Sequence, residues 1–161
     1  MSHSVTIRTQ TVTSGSSAII VNTSYLKTWS GVLKLLQLAL GIVCIGIVGH
    51  TINKYRYWTS EEFFFLLMAT TFMIGTFILL VSCLASLSTA TVISKTIYDL
   101  LYHAFAFALL LAASLTLTVH ASNYKRTSVY ELLLAASICG LINVAAYLLS
   151  TIIAVRTYRG I

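Results

Sequence analysis

The chain has 161 residues, 58% of them hydrophobic and only 9% charged, with a formal charge of +6. A mean hydropathy of +0.90 and this scarcity of charge exclude an ordinary water-soluble domain, where about 25% of residues are charged. The composition predicts an integral membrane protein, with too little chain outside the apolar stretches to build a soluble catalytic domain.

Residues 1–28, MSHSVTIRTQTVTSGSSAIIVNTSYLKT, are rich in Ser and Thr and lack a continuous apolar core. They are expected to form a flexible, disordered cytosolic tail without a cleavable signal peptide. The alternation V-T-I-R-T-Q-T-V-T is also compatible with a strand against a partner, but a free tail is the simpler expectation. Residues 29–161 are predicted to be all-α, a four-helix transmembrane bundle with short loops and spans near 32–52, 63–87, 97–119 and 129–155. At about 1.5 Å per residue each span is long enough to cross a bilayer with some tilt. The chain has no proline, which removes the commonest cause of sharp kinks.

With both ends in the cytosol, the inner side carries Arg8, Lys27, Lys34, Lys95, Arg156 and Arg159, and the outer side Lys54, Arg56, Lys125 and Arg126. That is a mild positive-inside bias. The sequon Asn22-Thr23-Ser24 should then stay unglycosylated. Trp29, Trp58 and several tyrosines fall near span ends, as interfacial aromatics do. Cys44, Cys83 and Cys139 lie inside apolar spans, so no disulfide framework is expected. Cys83, about one turn from a span end, is a candidate for palmitoylation. A small buried apolar role is the competing expectation.

The acidic residues all stand at predicted helix starts. Thr59 with Glu62, Thr96 with Asp99 and Ser128 with Glu131 repeat the capping-box spacing, and Glu61 adjoins Glu62. In that motif a hydroxyl accepts from an early backbone N–H and a carboxylate reaches back, while its charge complements the helix dipole. These six residues are therefore read as helix-start anchors. His103, one turn after Asp99, is expected to pair with it or to link to another helix. A pH-sensitive Asp99/His103 pair and a metal site are the alternatives, and the latter would need more ligands. His50 and His120 read as interfacial residues.

In lipid, helices associate through close backbone approach and a few polar contacts. Candidate helix–helix contacts are Ala104, Ala108 and Ala112 in the third span, and Ala136, Gly140 and Asn143 in the fourth, a stripe that continues to Tyr147. Thr71, Gly75, Ser82 and Ser86 share a face of the second. Asn143, strongly polar near a span midpoint, is predicted to face the bundle and bond a neighbouring helix. An outward stripe serving homo-oligomers or partner proteins is the alternative.

Three segments carry a family resemblance: YLKTWSGVLKLLQLALG (Tyr25–Gly41), IYDLLYHAFAFALLLAAS (Ile97–Ser114) and AYLLSTIIAVRTYRG (Ala146–Gly160). In order and loop length the chain resembles the MARVEL-domain tetraspan proteins, especially the chemokine-like-factor and MAL-like branches, from about residue 25 to the end. Asp99, Tyr102 and His103 match the family's third-helix opening, and Arg156 and Arg159 its basic end. The resemblance implies a four-helix membrane domain with cytosolic termini. It also implies roles in membrane apposition, vesicle trafficking, junction or lipid-domain organisation and, in some members, cell–cell fusion. The outer loops are too short for the occludin-like or synaptophysin-like branches.

The leading expectation is a non-enzymatic multi-pass protein of plasma or vesicle membranes, acting through lateral helix and lipid contacts. Its partners would be membrane lipids, other membrane proteins and further copies of itself. Arg156 and Arg159 are candidate headgroup contacts, contributing about 1 kcal/mol each near an anionic surface. The alternatives are a small channel or proton-coupled transporter using Asp99 and His103, and a signalling adaptor acting through the tail. No catalytic, cofactor or metal residues are assigned, since no nucleophile–base pair or ligand cluster shares a depth. Basic residues scattered along the boundaries do not suggest nucleic acid.

Overall fold

The computed structural model describes residues 23–56, 59–123 and 128–160. Asn22, Trp58, Lys125, Arg126 and the expected tail up to residue 22 lie outside the described residues. The final part of that tail is folded: Thr23–Lys27 is a 3₁₀ turn packed against the helices that follow. A glycine makes this possible, because a Cβ at Gly31 would run into the Tyr25 carbonyl.

Helix α1 spans Trp29–Tyr55 and is capped by Thr28, whose Oγ1 accepts from the Gly31 N–H at 3.2 Å. It ends at Arg56, whose left-handed backbone (φ 51°) directs its N–H to the Ile52 carbonyl. Helix α2 spans Ser60–Ala85 and starts as expected, with Thr59 Oγ1 accepting from the Glu62 N–H at 3.4 Å. It stops short of the predicted residue 87. Ser86 adopts an extended backbone (φ −152°) and caps a short extra helix, α3 (Leu87–Ile93), by accepting from the Thr89 N–H. Ser86 therefore leaves the face it was expected to share with Thr71, Gly75 and Ser82. Helices α4 (Ile97–Ser122) and α5 (Ser128–Arg159) complete the chain.

Four helices, α1, α2, α4 and α5, are long and apolar enough to cross a membrane. At about 1.5 Å per residue the shortest exceeds a hydrocarbon core of about 30 Å. The most extensive contacts run α1–α2, α2–α4, α4–α5 and α5–α1, so the helices form a ring in chain order with α1 opposite α4 and α2 opposite α5. Inside it, Phe65, Leu110, Leu117 and Leu133 are fully buried beside Val48, Ala106 and Ala113. Side chains of α4 and α2 pack tightly on Gly140 of α5, where an added Cβ would lie 2.6 Å from Ser114 Oγ and 2.8 Å from a Phe65 ring carbon. Hydrocarbon covers the outside: Leu36, Ile42, Phe77, Leu101, Phe105 and Ile142 are all exposed.

Candidate functional site

The interior is not uniformly apolar. The end of the bundle where α1 and α4 begin carries a stack of buried polar side chains. Asp99, in the first turn of α4, places Oδ1 3.6 Å from Lys34 Nζ and 3.4 Å from His103 Nε2. Lys34, Asp99 and His103 are 2%, 4% and 1% exposed. Burial of an isolated charge is prohibitive, so Lys34 and Asp99 stabilise each other's presence there. The pair joins α1 to α4, helices that stand opposite in the ring. Lys34 Nζ also donates to Ser30 Oγ at 3.0 Å, and Ser30 Oγ lies 3.2 Å from Tyr25 Oη. The folded end of the tail is thus tied to the ion pair, and burial pushes the Tyr25 phenol above its usual range.

One layer further in, a second link crosses the other diagonal. Thr76 Oγ1 on α2 is 2.7 Å from Tyr147 Oη on α5 and 2.9 Å from Tyr102 Oη on α4. Both phenols also donate to the Phe72 carbonyl, at 2.8 Å from Tyr102 and 3.2 Å from Tyr147. Rings close the space around these hydroxyls. The His103 ring centre lies 5.2 Å from that of Tyr102 and 6.0 Å from that of Tyr147, and Phe72 meets both tyrosines edge-on. Beside them Gln37 Nε2 donates to the Ala146 carbonyl at 3.1 Å and to Ser150 Oγ at 2.7 Å, binding α1 to α5. Beyond this layer come Phe65, Leu110 and Leu133, each buried.

Next to the ion pair is a partly open cavity of about 260 Å³. Tyr25, Ser30, Asp99 and His103 contribute to its polar lining, and Ala90 and Ala154 to its apolar walls. At the opposite end of the bundle His120 faces both acidic residues of α2, with Nδ1 3.6 Å from Glu61 Oε2 and Nε2 3.9 Å from Glu62 Oε1.

These placements revise several expectations. Thr59 caps α2, but the Glu62 carboxylate is turned toward His120 of another helix. Thr96 stands at the N-cap of α4 without making a side-chain cap bond, and its hydroxyl donates instead to the Ile93 carbonyl at 2.7 Å. Asp99 is consequently no shortened capping-box arm: its carboxylate serves the interior pair with Lys34. His103 does stand beside Asp99. Ser128 is the first residue of α5 rather than its cap, and Glu131 is exposed in the first turn. In α4 the buried face runs through Asp99, His103, Ala106, Leu110, Ala113 and Leu117. Ala104 is half-buried, while Ala108 and Ala112 are exposed and make no internal helix contact of the kind expected.

In α5, Ala136, Gly140 and Asn143 all face the interior. Asn143 Oδ1 nevertheless lacks a hydrogen-bond partner among the described residues, contrary to the expected interhelical bond. Cys83 is 2% exposed within the core, so its thiol is not presented for acylation. Arg156 and Arg159 are exposed in the last turn of α5.

Sequence reasoning missed Lys34, which it counted among the juxtamembrane cations, and it missed Gln37 and Thr76; Tyr147 was placed on the contact stripe of the fourth span, without its hydroxyl partner. A signal existed for Lys34 and Gln37. They are spaced i, i+3 in an otherwise apolar run, and two polar side chains on one face of a membrane helix mark its inward side.

The sequence profile of the MARVEL membrane-associating domain matches residues 25–153. No curated protein and no solved structure matches the chain.

Proposed function

The chain belongs to the MARVEL family of membrane-associating domains, and from that premise we propose that it organises membrane domains through its outward helix faces, without catalysis. In fuller form the reading is support of membrane apposition, fusion or vesicle trafficking in plasma or vesicle membranes, with both termini in the cytosol. One observation carries it: the buried charges are paired inside the bundle, Lys34 with Asp99 and Glu62 with His120, and no more than 44% of the most apolar stretch of any span is buried there. What remains for neighbours is a broad apolar exterior, where association depends on packing and lipid contact. Ala108 and Ala112 offer close approach on α4, and exposed Arg156 and Arg159 offer charge to anionic headgroups.

Fluorescence energy transfer between labelled full-length copies in liposomes tests the lateral mechanism. Wild type is expected to exceed the random-mixing level, and Ala108→Leu with Ala112→Leu to lower the signal at unchanged thermal stability. Transfer at the random level for wild type contradicts self-association. Orientation has a separate readout, since a glycan on Asn22 in cells would reverse the topology.

A further inference from the structure

The cavity beside Lys34, Asp99 and His103 has the character of a ligand site. His103 lines it, yet neither ring nitrogen has a hydrogen-bond partner among the described residues, although the residue is only 1% exposed. A neutral imidazole has one donor and one acceptor to satisfy, and leaving such groups bare in a buried site is costly. Asp99 Oδ1 lies 3.4 Å from Nε2 without the alignment of a good hydrogen bond, and Nδ1 is left with no partner at all among the described residues. The cavity wall also includes Ser30, Ser94, Ser150 and Thr157 together with Ala90 and Ala154. Ser94 and Thr157 donate to backbone carbonyls and Ser30 and Ser150 accept from Lys34 and Gln37, but each hydroxyl oxygen has a second lone pair to offer.

Charge and size narrow the occupant. Lys34 already cancels Asp99, so the site is neutral. An anionic head would face the Asp99 carboxylate, and a cationic one would compete with Lys34. A hydroxyl can donate to one acceptor and accept from one donor at once, which suits an imidazole among Ser and Thr side chains. The volume of about 260 Å³ equals that of about nine waters at about 30 Å³ each. It accommodates a glycerol-sized head with the start of a chain, but not a whole lipid. The cavity lies where α1 and α4 begin, at the end of the bundle, with Ile153 and Ala154 of α5 in its wall.

We propose that this cavity binds the hydroxyl-bearing head of a neutral acylglycerol, whose chain leaves between the helices into the bilayer. The site extends the organiser reading from general lipid contact to one lipid class. Its test reads labelling rather than assembly, so the two fail separately.

The experiment uses the full-length protein in nanodiscs of a zwitterionic phospholipid, with a photoactivatable monoacylglycerol carrying its diazirine near the head. Adducts are mapped by peptide mass spectrometry. Labelling is expected to concentrate on residues 90–94 and 150–157. Excess unlabelled monoacylglycerol should suppress it at least tenfold, while the analogue with both hydroxyls O-methylated should not. Ala154→Leu, which fills the cavity, should reduce labelling similarly at unchanged elution volume, with Ala135→Leu on the exposed face of α5 as control. If Ala154→Leu is not monodisperse, Ala90→Leu fills the same space from α3. Equal competition by the O-methylated analogue would overturn the proposal by showing mere partitioning of the chain. Adducts spread over the lipid-facing Phe105 and Ile142 would overturn it too, leaving the cavity to water.

Discussion

Lys34 shows how a single side chain can be read correctly as to charge and wrongly as to place. In V-L-K-L-L-Q it resembles a cation waiting at the membrane boundary. The structure turns it inward, 3.6 Å from Asp99, across the bundle. Removing one member of such a pair leaves an uncompensated buried charge, a loss of about 3–5 kcal/mol, whereas replacing both by apolar residues is often nearly neutral. Lys34→Met alone is therefore expected to destabilise the protein by about that amount, and Lys34→Met with Asp99→Leu to restore most of it. Reversible unfolding in mixed micelles measures both. Additive losses in the double variant would show that the two residues do not act as a pair. Tyr147→Phe, which removes the 2.7 Å contact to Thr76, should cost about 1 kcal/mol in the same assay, the usual net value of a hydrogen bond.

At the level of elements, the spans were legible and their rotation was not. Runs of about 20 apolar residues announce membrane helices, and the ends of the four predicted spans lie within four residues of those of α1, α2, α4 and α5. A helix that is apolar all round, however, carries little information about which side faces inward. The Ala104, Ala108 and Ala112 stripe illustrates this, since spacing alone suggested a packing face while the buried seam of α4 follows Asp99 and His103. Polar residues set the phase in these helices, because each must find a partner away from lipid. Helix α3 was hidden for another reason: Leu87–Ile93 continues the apolar run of α2, and only the extended backbone at Ser86 separates them.

Small residues divide by the same logic. Gly140 lies against Ser114 and Phe65, and Phe65 is fully buried. Overpacking of about 1–3 kcal/mol should then exceed the gain in helix propensity of about 1 kcal/mol, so Gly140→Ala lowers the melting temperature. Gly46 in α1 has nothing within 4 Å of an added Cβ, and Gly46→Ala should raise it. The pair is read by thermal scanning in detergent, and a gain at Gly140 would refute the tight packing of Ser114 and Phe65 against it.

For the molecule as a whole, the decisive contrast is between a closed inside and an open outside. The ion pair and the hydroxyl cluster each bridge one diagonal of the ring and hold four helices in register; of these groups the transport alternative had named Asp99, with His103 beside it. Past Tyr102 and Tyr147 the axis is filled by Phe65, Leu110, Leu117 and Leu133. An aqueous relay would need those side chains to part. Beyond the cavity the interior is accordingly read as a structural lock, and the organising role is left to the surfaces that meet lipid and other helices. Proton flux across proteoliposomes, followed with an entrapped pH-sensitive dye under an imposed gradient, tests this most directly. Wild-type protein is predicted to leak no faster than protein-free vesicles; flux well above that background and abolished by Asp99→Asn would contradict the account.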